Sequence, residues 1–140
     1  MIRPVQMLAF GAARGTVLVL ARPLSFWGGV DARTGKIIDA SHPDRGCSVQ
    51  GRVLAMPGGR GSSSSASVLA EALRRGTGPV AIVIERPDPI LAVGALVAQS
   101  LYGIACPIAV CLGHGLATGM VVSIHGAPGD DATLVIEEAC

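Results

Sequence analysis

Apolar positions along this chain follow two rhythms, and the change from one to the other sets out its elements. Short runs rich in Val, Ile and Leu predict strands. Met7-Leu-Ala-Phe10 and Thr16-Val-Leu-Val-Leu-Ala21 are the first two, with Gly11-Ala-Ala-Arg-Gly15 as a glycine-rich turn between them. Lys36-Ile-Ile-Asp39 reads as a short strand, and Ser48 to Met56 as a longer one. Pro79-Val-Ala-Ile-Val-Ile84 is apolar on both faces, the pattern of a fully buried strand. Ile108-Ala-Val-Cys-Leu112 is another. Met120–Ile124 and Thr133–Glu137 form a hairpin around His125-Gly-Ala-Pro-Gly-Asp-Asp131.

Helical spacing occurs twice. Val68-Leu-Ala-Glu-Ala-Leu-Arg-Arg75 belongs to a helix of about ten residues, closed by Gly76 and Gly78. Asp88 is placed to cap a second helix, with Pro89 at its first position, that runs to about Leu101. The order is several β elements, then β–α–β–α–β, then a hairpin. That is an α/β chain with two main helices, a single domain over residues 1–140, without an internal repeat or a linker long enough to divide it.

Composition narrows the class. Half of the residues are hydrophobic and only 15% are charged, which argues against disorder. Aromatics are 3%, so the core must be aliphatic. Low charge and a mean hydropathy of +0.55 suggest a surface partly covered by a partner. The net charge of +1 gives no electrostatic basis for nucleic-acid binding. The N-terminus lacks a cleavable apolar segment, and runs such as Ile90 to Ala98 are too short to span a bilayer, so the expected location is the cytoplasm. Cys47, Cys106, Cys111 and Cys140 show no ligand spacing and read as core thiols in a reducing compartment. His42, His114 and His125 read as turn or surface residues, and Asp31, Asp39, Asp44 and Arg45 as turn residues. Phe26-Trp27 is most of the aromatic content and reads as a hydrophobic plug, with a subunit contact or pocket wall as the functional alternative.

Pro57-Gly-Gly-Arg-Gly-Ser-Ser-Ser-Ser-Ala-Ser-Val68 joins a strand to a helix. Glycines allow close backbone approach. The free N–H groups of a first helical turn favour an anion. The segment fails the phosphate-loop pattern, since no lysine precedes the serine, and it fails the dinucleotide fingerprint on glycine spacing. It also lacks the GxSxG of a nucleophile elbow. One serine of the four suffices to cap the helix. Capping alone requires neither the three glycines nor Arg60, so the segment is a candidate anion or substrate site.

Several blocks carry a family resemblance. Leu24-Ser-Phe-Trp-Gly-Gly-Val-Asp31, Thr34-Gly-Lys-Ile-Ile-Asp39, His42-Pro43, Gly51-Arg-Val-Leu54, Pro57-Gly-Gly-Arg-Gly-Ser62 and Asp88-Pro-Ile-Leu-Ala-Val-Gly-Ala95 resemble the small subunit of aconitase X. The resemblance covers roughly residues 5–112 in order and is weaker over 113–140. It implies a swivelling β/β/α domain with a barrel-like sheet, docked on a large catalytic subunit as a heterodimer or larger assembly. It implies a hydro-lyase, with an iron or iron–sulfur centre on the large subunit and no metal bound by this chain alone. It further implies that Ser62 is the proton acceptor, with Arg60, Gly61 and Ser63 as substrate contacts. Two substrates occur in such proteins, cis-3-hydroxy-L-proline and mevalonate 5-phosphate. Phe-Trp-Gly-Gly and Pro-Gly-Gly-Arg-Gly-Ser-Ser-Ser-Ser resemble the hydroxyproline branch, and Lys36 as the single lysine among eleven basic residues points to a GC-rich bacterial genome. A non-catalytic binding or regulatory module that retains the swivel fold is the expectation from another class.

Overall fold

The structure is a computed structural model that describes residues 1–59 and 63–137. Strands β1 (Ile2–Pro4), β2 (Gln6–Ala9) and β3 (Gly11–Val19) come first, followed by a single short turn, α1 (Phe26–Gly29). Then come β4 (Arg52–Met56), α2 (Ser65–Arg75), β5 (Ala81–Ile84), α3 (Pro89–Tyr102) and β6 (Ile108–Val110). The hairpin β7 (Val121–Gly126) and β8 (Thr133–Glu137) ends the described chain.

All eight strands form one sheet in the order β1-β8-β7-β3-β4-β5-β6-β2. β3, β4, β5 and β6 run parallel through the α2 and α3 crossovers. β1 and β2 lie at opposite ends of that order, yet only Val5 separates them in the chain. Val5 N–H donates to the Ala132 carbonyl at 3.2 Å. One N-terminal segment therefore supplies both edges, and the sheet closes on itself as the barrel-like expectation required.

Strand alternation divides the apolar residues between two cores. Val17, Val53, Ala55, Ala81, Val83, Ala109, Cys111, Val122, Ile124 and Leu134 point into the barrel. Leu54, Met56, Ile82, Ile84 and Ile108 point outward, beneath the helices and Phe26. This two-sided burial explains the uninterrupted apolar run at 81–84. α2 buries Leu69, Ala70, Ala72 and Leu73, and α3 buries Leu91, Gly94, Ala95 and Ala98. The outer side of α3 leaves Val93, Leu96, Val97 and Leu101 exposed, and part of the apolar excess read from composition lies there. Gly76 ends α2 and Gly103 ends α3, each in the left-handed region that favours glycine.

Several expected elements differ. Gly11 to Gly15 is not a turn: it continues β3 and pairs with β7. The glycines serve close approach, since a Cβ on Gly15 would stand 3.0 Å from Val80 Cγ2 and 3.3 Å from the Gly51 carbonyl. Lys36–Asp39 is not a strand, although Lys36 and Ile37 each form an isolated bridge, to Ser48 and Val30. Gln50 and Gly51 form a turn ahead of β4, with Gly51 at φ 69°, so the strand expected from Ser48 starts only at Arg52. The core-thiol reading holds for Cys106 and Cys111, while Cys47 is exposed and Cys140 lies outside the described residues. Burial pushes the Cys106 thiol up to about 12, the behaviour of an inert core thiol.

Candidate functional site

Four loops meet where the parallel strands end at their C-terminal sides, the edge at which open α/β sheets place ligands. The segment after β4 carries Pro57, Gly58 and Gly59. Arg60, Gly61 and Ser62, three of the four candidate site residues, lie outside the described residues; Ser63 is exposed in the turn before α2. The loop after β5 carries Glu85, Arg86 and Asp88, the loop after β3 carries Ser25 and Trp27, and the loop after β6 carries His114.

These loops are tied together by specific bonds. Glu85 N–H and Arg86 N–H both donate to the Pro57 carbonyl, each at 3.2 Å. Asp88 caps α3 as its sequence position implied: its Oδ1 accepts from Ile90 N–H at 3.0 Å and from Leu91 N–H at 3.2 Å. The same carboxylate packs against Gly59, so closely that a Cβ there would collide with Oδ2. Gly59 is thus a close-approach glycine, and it bridges to Leu24 on the other side.

The serine run departs from simple capping. Ser64 stands at the N-cap of α2 but makes no side-chain cap hydrogen bond. Ser65, buried in the first turn, looks sideways instead. Its Oγ accepts from Trp27 N–H at 3.2 Å and lies 3.1 Å from Ser25 Oγ. Ser25 donates its own proton to the Trp27 carbonyl at 3.0 Å, so the Ser65 proton goes to Ser25. The aromatic pair splits accordingly: Phe26 is fully buried as a plug, and Trp27 is 58% exposed on a backbone held by Ser25 and Ser65. Composition and motif did not single out Ser25 and Ser65; the signal was their proximity to the aromatic pair and to the candidate loop.

His42 and His114 are turn residues but buried, which corrects the surface expectation; His125 on β7 is exposed. His114 Nδ1 accepts from Leu116 N–H at 2.9 Å, so the neutral ring carries its proton on Nε2, 3.8 Å from Glu85 Oε1. Burial lowers the His114 pKa, the nearby Glu85 opposes that, and Arg3 adds to it. Among the described residues no three His, Cys, Asp or Glu side chains converge to hold a metal ion. No described helix is long and apolar enough to cross a membrane.

A mixed sheet of eight described strands with two crossover helices defines an α/β domain, with Gly58, Gly59 and Ser63 near the strand ends. A family model described as the aconitase X swivel domain matches residues 4–134, and the chain belongs to that family. The crystal structure of Thermococcus kodakaraensis aconitase X in its holo-form superposes with a TM-score of 0.86 at 32% identity, covering 99% of both chains. The cis-3-hydroxy-L-proline dehydratase of Pseudomonas aeruginosa is 51% identical over 107 residues, which are 76% of this chain and 18% of that protein. The phosphomevalonate dehydratase small subunit of Methanothermobacter thermautotrophicus is 44% identical over 93 residues, 66% of this chain and 71% of that one. The chain thus spans under a fifth of the length of the hydroxyproline dehydratases it matches.

Proposed function

We propose that this chain is the swivel part of a hydro-lyase that removes water from cis-3-hydroxy-L-proline to give a pyrroline-2-carboxylate, together with an aconitase X large subunit. The observation that carries the reading is the 51% identity to a protein named for that activity. The geometry is compatible with a half-site: Pro57 to Gly59 follow the C-terminal end of β4, and Ser63 and Ser64 are exposed just ahead of α2.

In this reading Ser62 accepts the Cα proton, with Arg60, Gly61 and Ser63 as substrate contacts. A serine is a poor base unless its alkoxide is stabilised, which peptide N–H groups and the positive end of α2 favour. The proton leaves Cα, the C3 hydroxyl departs, and together they make the water released. Departure of that hydroxyl is assigned to the large subunit, on which an iron or iron–sulfur centre is proposed; the described residues of this chain take no part in holding it.

The second reading, dehydration of mevalonate 5-phosphate, is favoured by length, since the small subunits named for that reaction match this chain over most of their own extent. Co-expression with the large subunit and assay of both substrates separates the two. Cis-3-hydroxyproline is the expected substrate, the chain alone is expected to be inactive, and Ser62→Ala is expected to abolish turnover while assembly persists. An active Ser62→Ala complex refutes the base assignment. An assembled complex inert to both substrates favours the non-catalytic module instead.

A further inference from the structure

We infer that Arg86 is a substrate-binding residue of the half-site, the one that takes the carboxylate of a small 2-carboxylate substrate. The inference deepens the proposed function and rests on it for the substrate class. Arg86 follows β5 and is exposed, and its backbone is fixed to the candidate segment because Glu85 N–H and Arg86 N–H share the Pro57 carbonyl. Its guanidinium lies over Gly58: a Cβ on that glycine would stand 3.7 Å from Nη2 and 3.8 Å from Nε. It lines an open cavity of about 310 Å³ with Gly58, Gly59, Pro87, Asp88, Pro89 and Ile90.

Arg86 shares an unspent charge with Arg22 and Arg45, and of these three it is the one whose backbone is bonded to the candidate segment. Arg14 pairs with Glu137, Arg33 with Asp31, and Arg74 and Arg75 with Glu71. Arg3 and Arg52 donate to backbone carbonyls. No described carboxylate lies within ion-pair distance of Arg86, although Asp88 is two residues away, because Asp88 is turned to the α3 N-terminus. Pro87 and Pro89 stiffen the loop between them. The result is an unpaired fork of donors on a fixed backbone, above a floor of glycine backbone, and a planar guanidinium matches a carboxylate in two parallel hydrogen bonds.

The test measures binding to the assembled complex by calorimetry, with pyrrole-2-carboxylate as probe and pyrrole-2-carboxamide as its uncharged counterpart. Losing one charge-assisted contact weakens carboxylate binding by about 10- to 100-fold. Arg86→Ala is expected to show that loss for the carboxylate and under threefold change for the carboxamide, with Arg86→Lys in between. Arg22→Ala, an exposed arginine on the β3–α1 loop, is the control and should bind as wild type. Equal loss for both probes, weakened subunit assembly, or no binding of the carboxylate by the wild-type complex overturns the inference. Binding that meets the expectation in a complex inert as a dehydratase retains the Arg86 assignment and overturns only the proposed reaction.

Discussion

Gly94 sits in the middle of α3, where helix propensity alone favours alanine by about 0.8–1.0 kcal/mol. The packing opposes that gain. A Cβ at Gly94 would stand 2.8 Å from the Ala66 carbonyl oxygen, 3.1 Å from Ala66 Cα and 3.2 Å from Leu69 Cδ2. Two of those atoms are backbone in the first turn of α2 and cannot rotate aside, so relief requires the two helices to separate. Overpacking of this kind costs about 1–3 kcal/mol, so Gly94→Ala should be net destabilising by about 1 kcal/mol. For a domain of this size that corresponds to a fall in Tm of about 3–4 °C. Thermal unfolding followed by circular dichroism reads it, with Ser100→Ala on the exposed side of the same helix as comparison. There the propensity term stands alone, and Tm should stay level or rise slightly. A Gly94→Ala protein whose Tm rises with Ser100→Ala would refute the close approach of α3 to the first turn of α2.

The other expectations concern the bonds that join the loops. Asp88→Ala removes the α3 cap and should cost about 1 kcal/mol in chemical denaturation, with Asp88→Asn retaining most of it. Ser65→Ala leaves the partly buried Trp27 N–H without its acceptor, at about 1–2 kcal/mol. Trp27 is the single tryptophan, so its fluorescence reports the loosened loop directly; an unchanged spectrum and Tm would refute the network. His114 has a lowered pKa in the folded state, chiefly from burial. Below its ordinary value near 6.5 the unfolded chain binds a proton that the folded chain does not. Stability is therefore full above that pH and falls as pH drops through it to the folded pKa. His114→Asn, which keeps an acceptor for Leu116 N–H, should flatten that part of the stability profile measured by urea titration.

The period-2 and period-3.6 patterns identified the elements with strong local causes. Asp88-Pro89 started α3 and Gly76 ended α2 because caps act over a few residues and carry their chemistry in the side chain or in φ. The apolar run at 81–84 was legible because both of its faces are buried. Gly11–Gly15 was misread because glycine signals either a turn or a close approach, and only the position of Val80, 65 residues later in the chain, decides which. The 36–39 stretch has strand composition, but its partners on each side form only single isolated bridges, so no ladder extends it into a strand. At the candidate site the segment itself was legible from its glycines and hydroxyls. Its supports were not: the Pro57 carbonyl shared by Glu85 and Arg86, and the Ser65–Ser25–Trp27 bonds, join residues 28 to 40 positions apart.

The distribution of stability explains why a site can be left this open. The barrel core and the core beneath the helices are built from described residues of the strands, helices and the β3–β4 connection, with β3 to β6 buried on each face. The connection after β3 adds Leu20, Leu24, Phe26, Val30, Ile37 and Val49 to the core and the loop after β6 adds Leu116, while hydrogen bonds to backbone hold the polar residues of these loops. Substitutions at the polar positions of those loops should cost one or two hydrogen bonds, about 1–3 kcal/mol, and not the fold. A cation such as Arg86 can stand there unpaired because water still solvates it. Covering by a second subunit would remove that water, so the guanidinium would then require an anion, and a substrate carboxylate entering the closed site would supply it.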